Sequence, residues 1–205
     1  EKNFGVNLMT YRPDGDKPGM FLLLISPKSE INAGERIPRD IAFALDTSGS
    51  MQGEKIQQAS KALKVCLGAL DKADRFAIVQ YATGAQLFGD GWTAASEDNR
   101  KKAADWIDGL RAEGGTNIQE ALGRVLALPL KAQRPATILF LTDGQPTVGQ
   151  TDIELLCKLA KDSNAQNLRI FTFGIGDDVY THLLDKLSEQ TGGLPEYIRP
   201  GEAVD

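Results

Sequence analysis

The chain has 205 residues, 41% of them hydrophobic and 25% charged, with a formal net charge of -5 and a pI near 5.0. That length suits one α/β domain with a substantial core and is short for two, and no low-complexity tract or long charge block is present to keep the chain disordered. The acidic balance excludes a broad phosphate-binding surface, so nucleic acid is not an expected partner, and no apolar run approaches the roughly 20 residues needed to span a bilayer. The sequence starts at Glu1 without an initiator Met and is read as part of a larger protein, so its lack of a targeting signal says nothing about compartment.

Residues 4 to 11 and 20 to 26 read as strands, and the stretch between them, rich in Pro, Gly, Asp and Lys, can fold them into an N-terminal hairpin. Ile41 to Leu45 is a five-residue apolar run of the kind that forms a buried strand. Glu54 to Leu70 then carries Ile56, Ala59, Leu63, Cys66, Leu67 and Leu70 at helical spacing. Phe76 to Tyr81 is the next buried strand, and Gln86 to Phe88 follows the Thr83-Gly84 turn closely enough to pair with it antiparallel. A helix ends near Leu110 with Ala103, Trp106 and Ile107 on its apolar face, and another carries Ile118, Ala121, Leu122, Val125 and Leu126. Trp92 and Trp106 read as packing residues.

Thr137 to Thr142 is a near-continuous apolar strand, followed by a helix from Asp152 to about Ala160, a strand at Arg169 to Phe173, a helix with Leu183, Leu184 and Leu187, and a short strand at Glu196 to Ile198. Strands alternating with helices imply an α/β fold, a doubly wound and mainly parallel sheet with an antiparallel edge strand. Pro200 can open one more helix, Pro being favoured in a first turn. Cys66 and Cys157 fall in separate helical patterns and read as two apolar thiols; a disulfide requires their helices to be neighbours.

The chemistry gathers where strands end. Asp46-Thr47-Ser48-Gly49-Ser50-Met51 follows the first buried strand without a break, and the tips of such strands are where open α/β sheets place ligands. Gly49 is expected to turn the backbone so that Asp46, Ser48 and Ser50 aim their oxygens at one point, which suits a hard divalent cation. The strand at Thr137 to Thr142 delivers Asp143 in the same way, so two parallel strands present carboxylates at one edge. Between them lies Gly114-Gly115-Thr116-Asn117, where Thr116 or Asn117 is either a helix cap or a ligand. Gly174-Ile175-Gly176 lacks the third glycine of a dinucleotide loop, and Asp177-Asp178 would put negative charge where a phosphate must sit.

The D-x-S-x-S spacing of Asp46, Ser48 and Ser50, with Thr116 and Asp143 following in order, resembles the metal-ion-dependent adhesion site of von Willebrand factor type A domains. The likeness covers roughly residues 38 to 198 and implies a Rossmann-like domain over 38–205 with residues 1–37 as a hairpin extension. The run Phe21 to Pro27 ahead of it looks like the A domain of inter-alpha-trypsin inhibitor heavy chains and their bacterial relatives, in which a separate domain precedes the A domain. The resemblance implies that the two serines bind the cation directly, that Asp46, Thr116 and Asp143 exchange between direct and water-mediated contact, and that the domain's terminal helix is missing or cut short here. It further implies a protein partner that supplies a carboxylate to the metal, and an extracytoplasmic location, whether secreted, periplasmic or surface-anchored.

Two carboxylates and three hydroxyls suit Mg²⁺ or Mn²⁺ better than Ca²⁺, which recruits more carboxylate and carbonyl oxygens. The expected function is a metal-dependent protein-binding module and not an enzyme. The alternative is a Mg²⁺-dependent hydrolase or phosphotransferase using Asp46 and Asp143, which would want a Lys or Arg near the phosphate; neither site segment contains one. The one histidine, His182, lies in a helical stretch, and Ser48 is not in a G-x-S-x-G turn, so nothing suggests a serine hydrolase. A third reading keeps the fold and leaves these oxygens as loop and helix caps.

Overall fold

The computed structural model describes residues 4–13, 18–27, 36–131 and 134–202, and the chain divides between Ile37 and Pro38 into two units. In the first, β1 (Phe4–Tyr11) and β2 (Met20–Pro27) pair antiparallel from Phe4 opposite Pro27 to Tyr11 opposite Met20. Val6, Leu8, Phe21, Leu23 and Ile25 share one face of this ribbon, and Met9, Tyr11, Met20, Leu22 and Leu24 share the other. All ten are exposed. Two strands alone enclose nothing, so this hairpin has no core of its own.

The second unit is built on β3 (Asp40–Asp46), whose side chains alternate between two apolar layers. Ala42 and Ala44 enter one core cluster, Phe43 and Leu45 the other. A run buried on both faces must lie mid-sheet, and β3 pairs in parallel with β4 (Arg75–Tyr81) on one side and with β7 (Ala136–Thr142) on the other. Between these strands come α1 (Glu54–Gly68), β5 (Ala85–Leu87), β6 (Thr93–Ala94), α2 (Glu97–Asp108) and α3 (Ile118–Leu126). After β7 follow α4 (Ile153–Ser163), β8 (Arg169–Ile175), α5 (Thr181–Thr191) and β9 (Pro195–Ile198). The sheet order is β5-β4-β3-β7-β8-β9, all parallel except β5 and β6, which both run antiparallel to β4. β6, two residues long, had no signal in the sequence, since Thr93-Ala94 is too short to show a period.

Helical periodicity decides which layer each helix closes. Ala59, Leu63 and Leu67 of α1 and Ala103 and Ile107 of α2 pack on the Phe43 side, while α3, α4 and α5 cover the Ala42 side. Cys66 belongs to the first layer and Cys157 to the second, so their helices lie on opposite faces of the sheet and both thiols are free. The caps follow from local chemistry: Ser96 accepts from Asn99 N, Asn117 from Glu120 N and Asp152 from Leu155 N. Gly192 ends α5 in the left-handed region at φ 71°. The helix expected to open at Pro200 is not formed over the described residues: Pro200 and Gly201 lie in a turn closed by Glu202 N to Arg199 O at 3.1 Å, and Gly201 at φ 76° is outside the right-handed helical region.

Parallel strands put all their carboxyl ends at one edge of the sheet, and the two edges treat their acids differently. At the amino end, buried Asp40 is clamped by Arg75, Nε at 2.9 Å and Nη2 at 2.5 Å, and by Arg134 Nε at 2.8 Å. Nearby, Asp74 accepts from the Arg39 backbone N at 2.8 Å and from its guanidinium at 3.1 Å. These carboxylates are neutralised in place by guanidinium groups, as buried structural charges should be. The carboxyl edge is not built this way.

Candidate functional site

β3 ends in Asp46, which is fully buried. One carboxylate oxygen accepts from the Ser48 backbone N at 2.8 Å and the other from Thr142 Oγ1 at 2.5 Å. Neither partner carries a charge. Ser48 Oγ lies 3.1 Å from Ser50 Oγ, which in turn donates to Asp143 Oδ1 at 2.8 Å. Asp46, Ser48, Ser50, Thr142 and Asp143 thus form one connected set of carboxylates and hydroxyls spanning the tips of two adjacent parallel strands. The residue between Asp46 and Ser48 plays a different part. Thr47 is buried, donates to the Tyr81 carbonyl at 3.1 Å and accepts from Gln80 Nε2 at 3.0 Å, fixing the loop to β4.

The chain does turn tightly at Gly49, which opens a single 3-10 turn over Gly49–Met51 with Met51 N bonded to Ser48 O at 3.0 Å, but without a positive φ, so the turn itself does not require glycine. Its value is close approach. Its N–H reaches the Gly114 carbonyl at 3.0 Å, and an added Cβ would sit 3.3 Å from that same oxygen. A second bond, Glu113 N to Thr47 O at 2.8 Å, completes the pairing, so the loop carrying Thr116 is laced by its backbone to the loop carrying Ser48 and Ser50. Asn117, not Thr116, is the cap of α3. Thr116 is nearly buried and held by backbone alone: its N donates to Thr147 Oγ1 at 2.8 Å, and its carbonyl accepts from Thr147 N and Val148 N. Its side chain is therefore not consumed by capping, and it lies in a loop joined to the cluster without being hydrogen-bonded into it.

The electrostatics follow from burial. Desolvation lifts the Asp46 carboxyl from 3.8 to about 6 against the bonds from Thr142 and Ser48, and the charge of Asp143 adds to the rise. Among the described residues the buried Tyr81 hydroxyl makes no hydrogen bond of ordinary geometry, and burial, then the nearby Asp46 charge, push its pKa well above the usual range against the Thr142 hydroxyl close by. Two acids and two serine hydroxyls gathered at the strand tips, Asp46 with uncharged partners only, fit a hard cation that accepts oxygen ligands. Among the described residues there is no cluster of three or more His, Cys, Asp or Glu side chains, so no imidazole- or thiolate-rich site competes with it.

One neighbour was invisible in the motif segments. Lys55, in the first turn of α1, places Nζ 2.7 Å from Asp143 Oδ2 and 2.6 Å from Asp178 Oδ1, in the loop after β8. The two motif segments contain no lysine or arginine, yet the fold brings one to the acids, because α1 begins beside the strand tips and its first turn carries Lys55. Burial lowers the Lys55 pKa, but the bonds to Asp143 and Asp178 outweigh it and leave the ammonium above its ordinary value. Thr142 was read only as the end of a strand, yet it is the donor to Asp46. Gly174 and Gly176 serve packing: a Cβ would strike Val179 and Tyr197 at the first and Lys55 at the second, which agrees with rejecting a nucleotide loop.

With this geometry in hand, three comparisons bear on the chain. A family model described as von Willebrand factor type A domain matches residues 39–197. Inter-alpha-trypsin inhibitor heavy chain H4 of Sus scrofa is 36% identical over 170 residues, 79% of this chain and 18% of that protein. Heavy chain H2 of Mus musculus is 30% identical over 188 residues, 88% of this chain and 20% of its own length. The chain thus spans about a fifth of the length of these curated relatives. Among solved structures, a von Willebrand factor type A protein from Catenulispora acidiphila superposes with a TM-score of 0.75 at 20% identity, covering 96% of this chain and 46% of that one. Proximal thread matrix protein 1 from the mussel byssus, solved with its MIDAS motif occupied by zinc, gives 0.61 at 21% identity over 78% of this chain and 41% of its own. At such identities these two structures speak for the fold alone.

Proposed function

Because this chain belongs to the von Willebrand factor type A family, we propose that it is a non-catalytic binding module whose cation site is formed by Asp46, Ser48, Ser50, Thr116 and Asp143. Mg²⁺ or Mn²⁺, if held there by these residues, would offer an electrophilic centre to an acidic side chain of a protein partner. The observation that carries this reading is the contrast between the sheet's two edges. Acids at the amino edge are clamped by arginines, whereas at the carboxyl edge Asp46 has only uncharged partners and Asp143 faces Ser50 and one lysine. Mg²⁺ is preferred over Ca²⁺ because the set contains only two carboxylates.

Ser48 and Ser50 would offer their hydroxyls to the cation, while Asp46 and Asp143 would supply the charge. Thr142 holds the Asp46 carboxylate in place from below its strand tip. Thr116 is carried by the loop laced to Gly49 and would reach the cation from there. An extracytoplasmic location belongs to the same reading and rests on family resemblance. The competing phosphotransfer reading gains a cation in Lys55, but that ammonium is already bonded to two carboxylates.

Two measurements test the proposal. Mg²⁺ or Mn²⁺ should raise the melting temperature, since a ligand bound only by the folded state stabilises it by mass action, and Ser48→Ala with Ser50→Ala should abolish the rise. Partner capture should require the metal and be lost in Asp46→Ala. A melting temperature indifferent to both metals, or equal responses in wild type and double variant, would remove these residues from any metal site; metal-dependent phosphatase or esterase turnover would favour the enzyme.

A further inference from the structure

Lys55 stands where helix physics disfavours it. It occupies the first turn of α1, whose partial positive charge repels a cation, and its side chain is only 20% exposed. Something at the site must hold it there, and three contacts do. Asp143 Oδ2 accepts its ammonium at 2.7 Å from a carboxylate whose other oxygen is bonded to Ser50. Asp178 accepts at 2.6 Å from the solvent side, its own side chain being 75% exposed. Gly176 closes the third side: at φ 111° its backbone passes so near the lysine that a Cβ would lie 2.7 Å from Cε and 3.3 Å from Nζ. The ammonium is thus seated by two carboxylates and by a backbone approach that only glycine permits.

Resting on the cation-site reading above, we infer that Lys55 is an internal counter-cation that competes with the bound metal for Asp143, and that Asp178 sets the strength of this competition by drawing the ammonium outward. When the site holds no cation, Lys55 neutralises one of two neighbouring buried acids and keeps the strand tips together. When a divalent cation enters, it must share Asp143 with a positive charge 2.7 Å from that carboxylate, so metal binding is weaker than two free carboxylates would give. The same sharing leaves more positive charge on the site for an incoming acidic group. Lys55 is a positioning and tuning residue, not a metal ligand.

Titration calorimetry with Mn²⁺ and Mg²⁺ on the whole chain, alongside melting in metal-depleted buffer, tests this. Lys55→Met keeps the stem and removes the charge, and should tighten Mn²⁺ binding by at least about tenfold while lowering the metal-free melting temperature. Lys55→Arg should restore near-wild-type affinity, which a merely structural lysine would not predict. Asp178→Asn should loosen binding, because the ammonium then acts on Asp143 alone. Unchanged or weaker Mn²⁺ binding in a folded Lys55→Met protein overturns the inference. Should Lys55→Met fail to fold, Asp178→Asn decides, since its exposed side chain carries no core packing: loosened binding upholds the inference, and unchanged or tightened binding overturns it. If wild type and variants alike take up neither metal, the cation-site reading itself fails and this inference with it.

Discussion

Asp46 offers a direct measure of how much of the site's energy waits for a cation. Its carboxyl is raised from 3.8 to about 6 in the folded protein, first by burial and last by the Asp143 charge. In the unfolded chain the group returns to its ordinary value. Between these two values the folded state holds a proton that the unfolded state has lost, so metal-free stability must fall as pH rises through that window. A shift of about 2 units at 1.36 kcal/mol per unit is about 3 kcal/mol, fully present below pH 4 and lost above pH 6. Asp46→Asn removes the titration while keeping the shape: its amide oxygen can still accept from Ser48 N, and the Thr142 hydroxyl can rotate to accept from the amide nitrogen.

The assay is urea unfolding in metal-depleted buffer from pH 4 to pH 7.5 on both proteins. The difference between them cancels the other acids, including Asp74 and Asp178. Asp46→Asn should match wild type near pH 4 and exceed it by up to about 3 kcal/mol at neutral pH, a stabilising substitution at a functional position. Saturating Mn²⁺ should reverse the order, because in the proposed site the cation needs the carboxylate. Proton competition should also weaken metal affinity by about tenfold per pH unit below 6. A wild-type minus variant difference that stays flat across the pH range would refute the claim that Asp46 is held uncompensated in a desolvated site.

Two further substitutions probe the frame that carries the site. Asp40→Ala should cost about 3–5 kcal/mol in urea unfolding, because it strands Arg75 and Arg134 at a buried position; a loss under about 1 kcal/mol would mean that this clamp behaves like a surface pair. Gly193→Ala should cost about 3 kcal/mol or more, since its Cβ would fall 1.9 Å from the Ile170 carbonyl oxygen and push α5 off β8; a melting temperature near wild type would show that the α5–β9 connection shifts freely.

The fold was legible wherever one periodicity ran long enough to outvote its neighbours. Asp40–Asp46 and Ala136–Thr142 are apolar on both faces, which only a mid-sheet position satisfies, and the helices between them forced the parallel order. Boundaries shifted where caps decided them: Ser96 starts α2 ahead of Asn99, and α4 continues to Ser163 beyond Ala160. β6 was illegible because two residues carry no pattern, and it exists only because Phe76 and Arg75 offer a free strand edge. The hairpin was readable as strands, yet nothing in its alternation indicated a buried face, and both faces are exposed in the structure.

The site divides along the same line between local and long-range information. Asp46, Ser48 and Ser50 stand within five residues on one strand tip, so their convergence could be argued from spacing, and Asp143 followed once β7 was recognised as the parallel partner of β3. Thr142 was hidden because a β-branched residue closing an apolar strand already has a sufficient explanation. Lys55 was hidden for a different reason: it reads as an ordinary polar position on an amphipathic helix, and its two partners lie 88 and 123 residues away. The one local sign was a cation in a helix's first turn, where the macrodipole opposes it. A residue that contradicts its own helix without visible compensation nearby implies a compensating charge brought by the fold, and here the sheet order supplies it: α1 starts just after the β3 tip, and the loops after β7 and β8 bring Asp143 and Asp178 to its first turn. The same reasoning turns on the neighbouring Glu54, which suits the first turn of α1 and therefore needs no partner at the site.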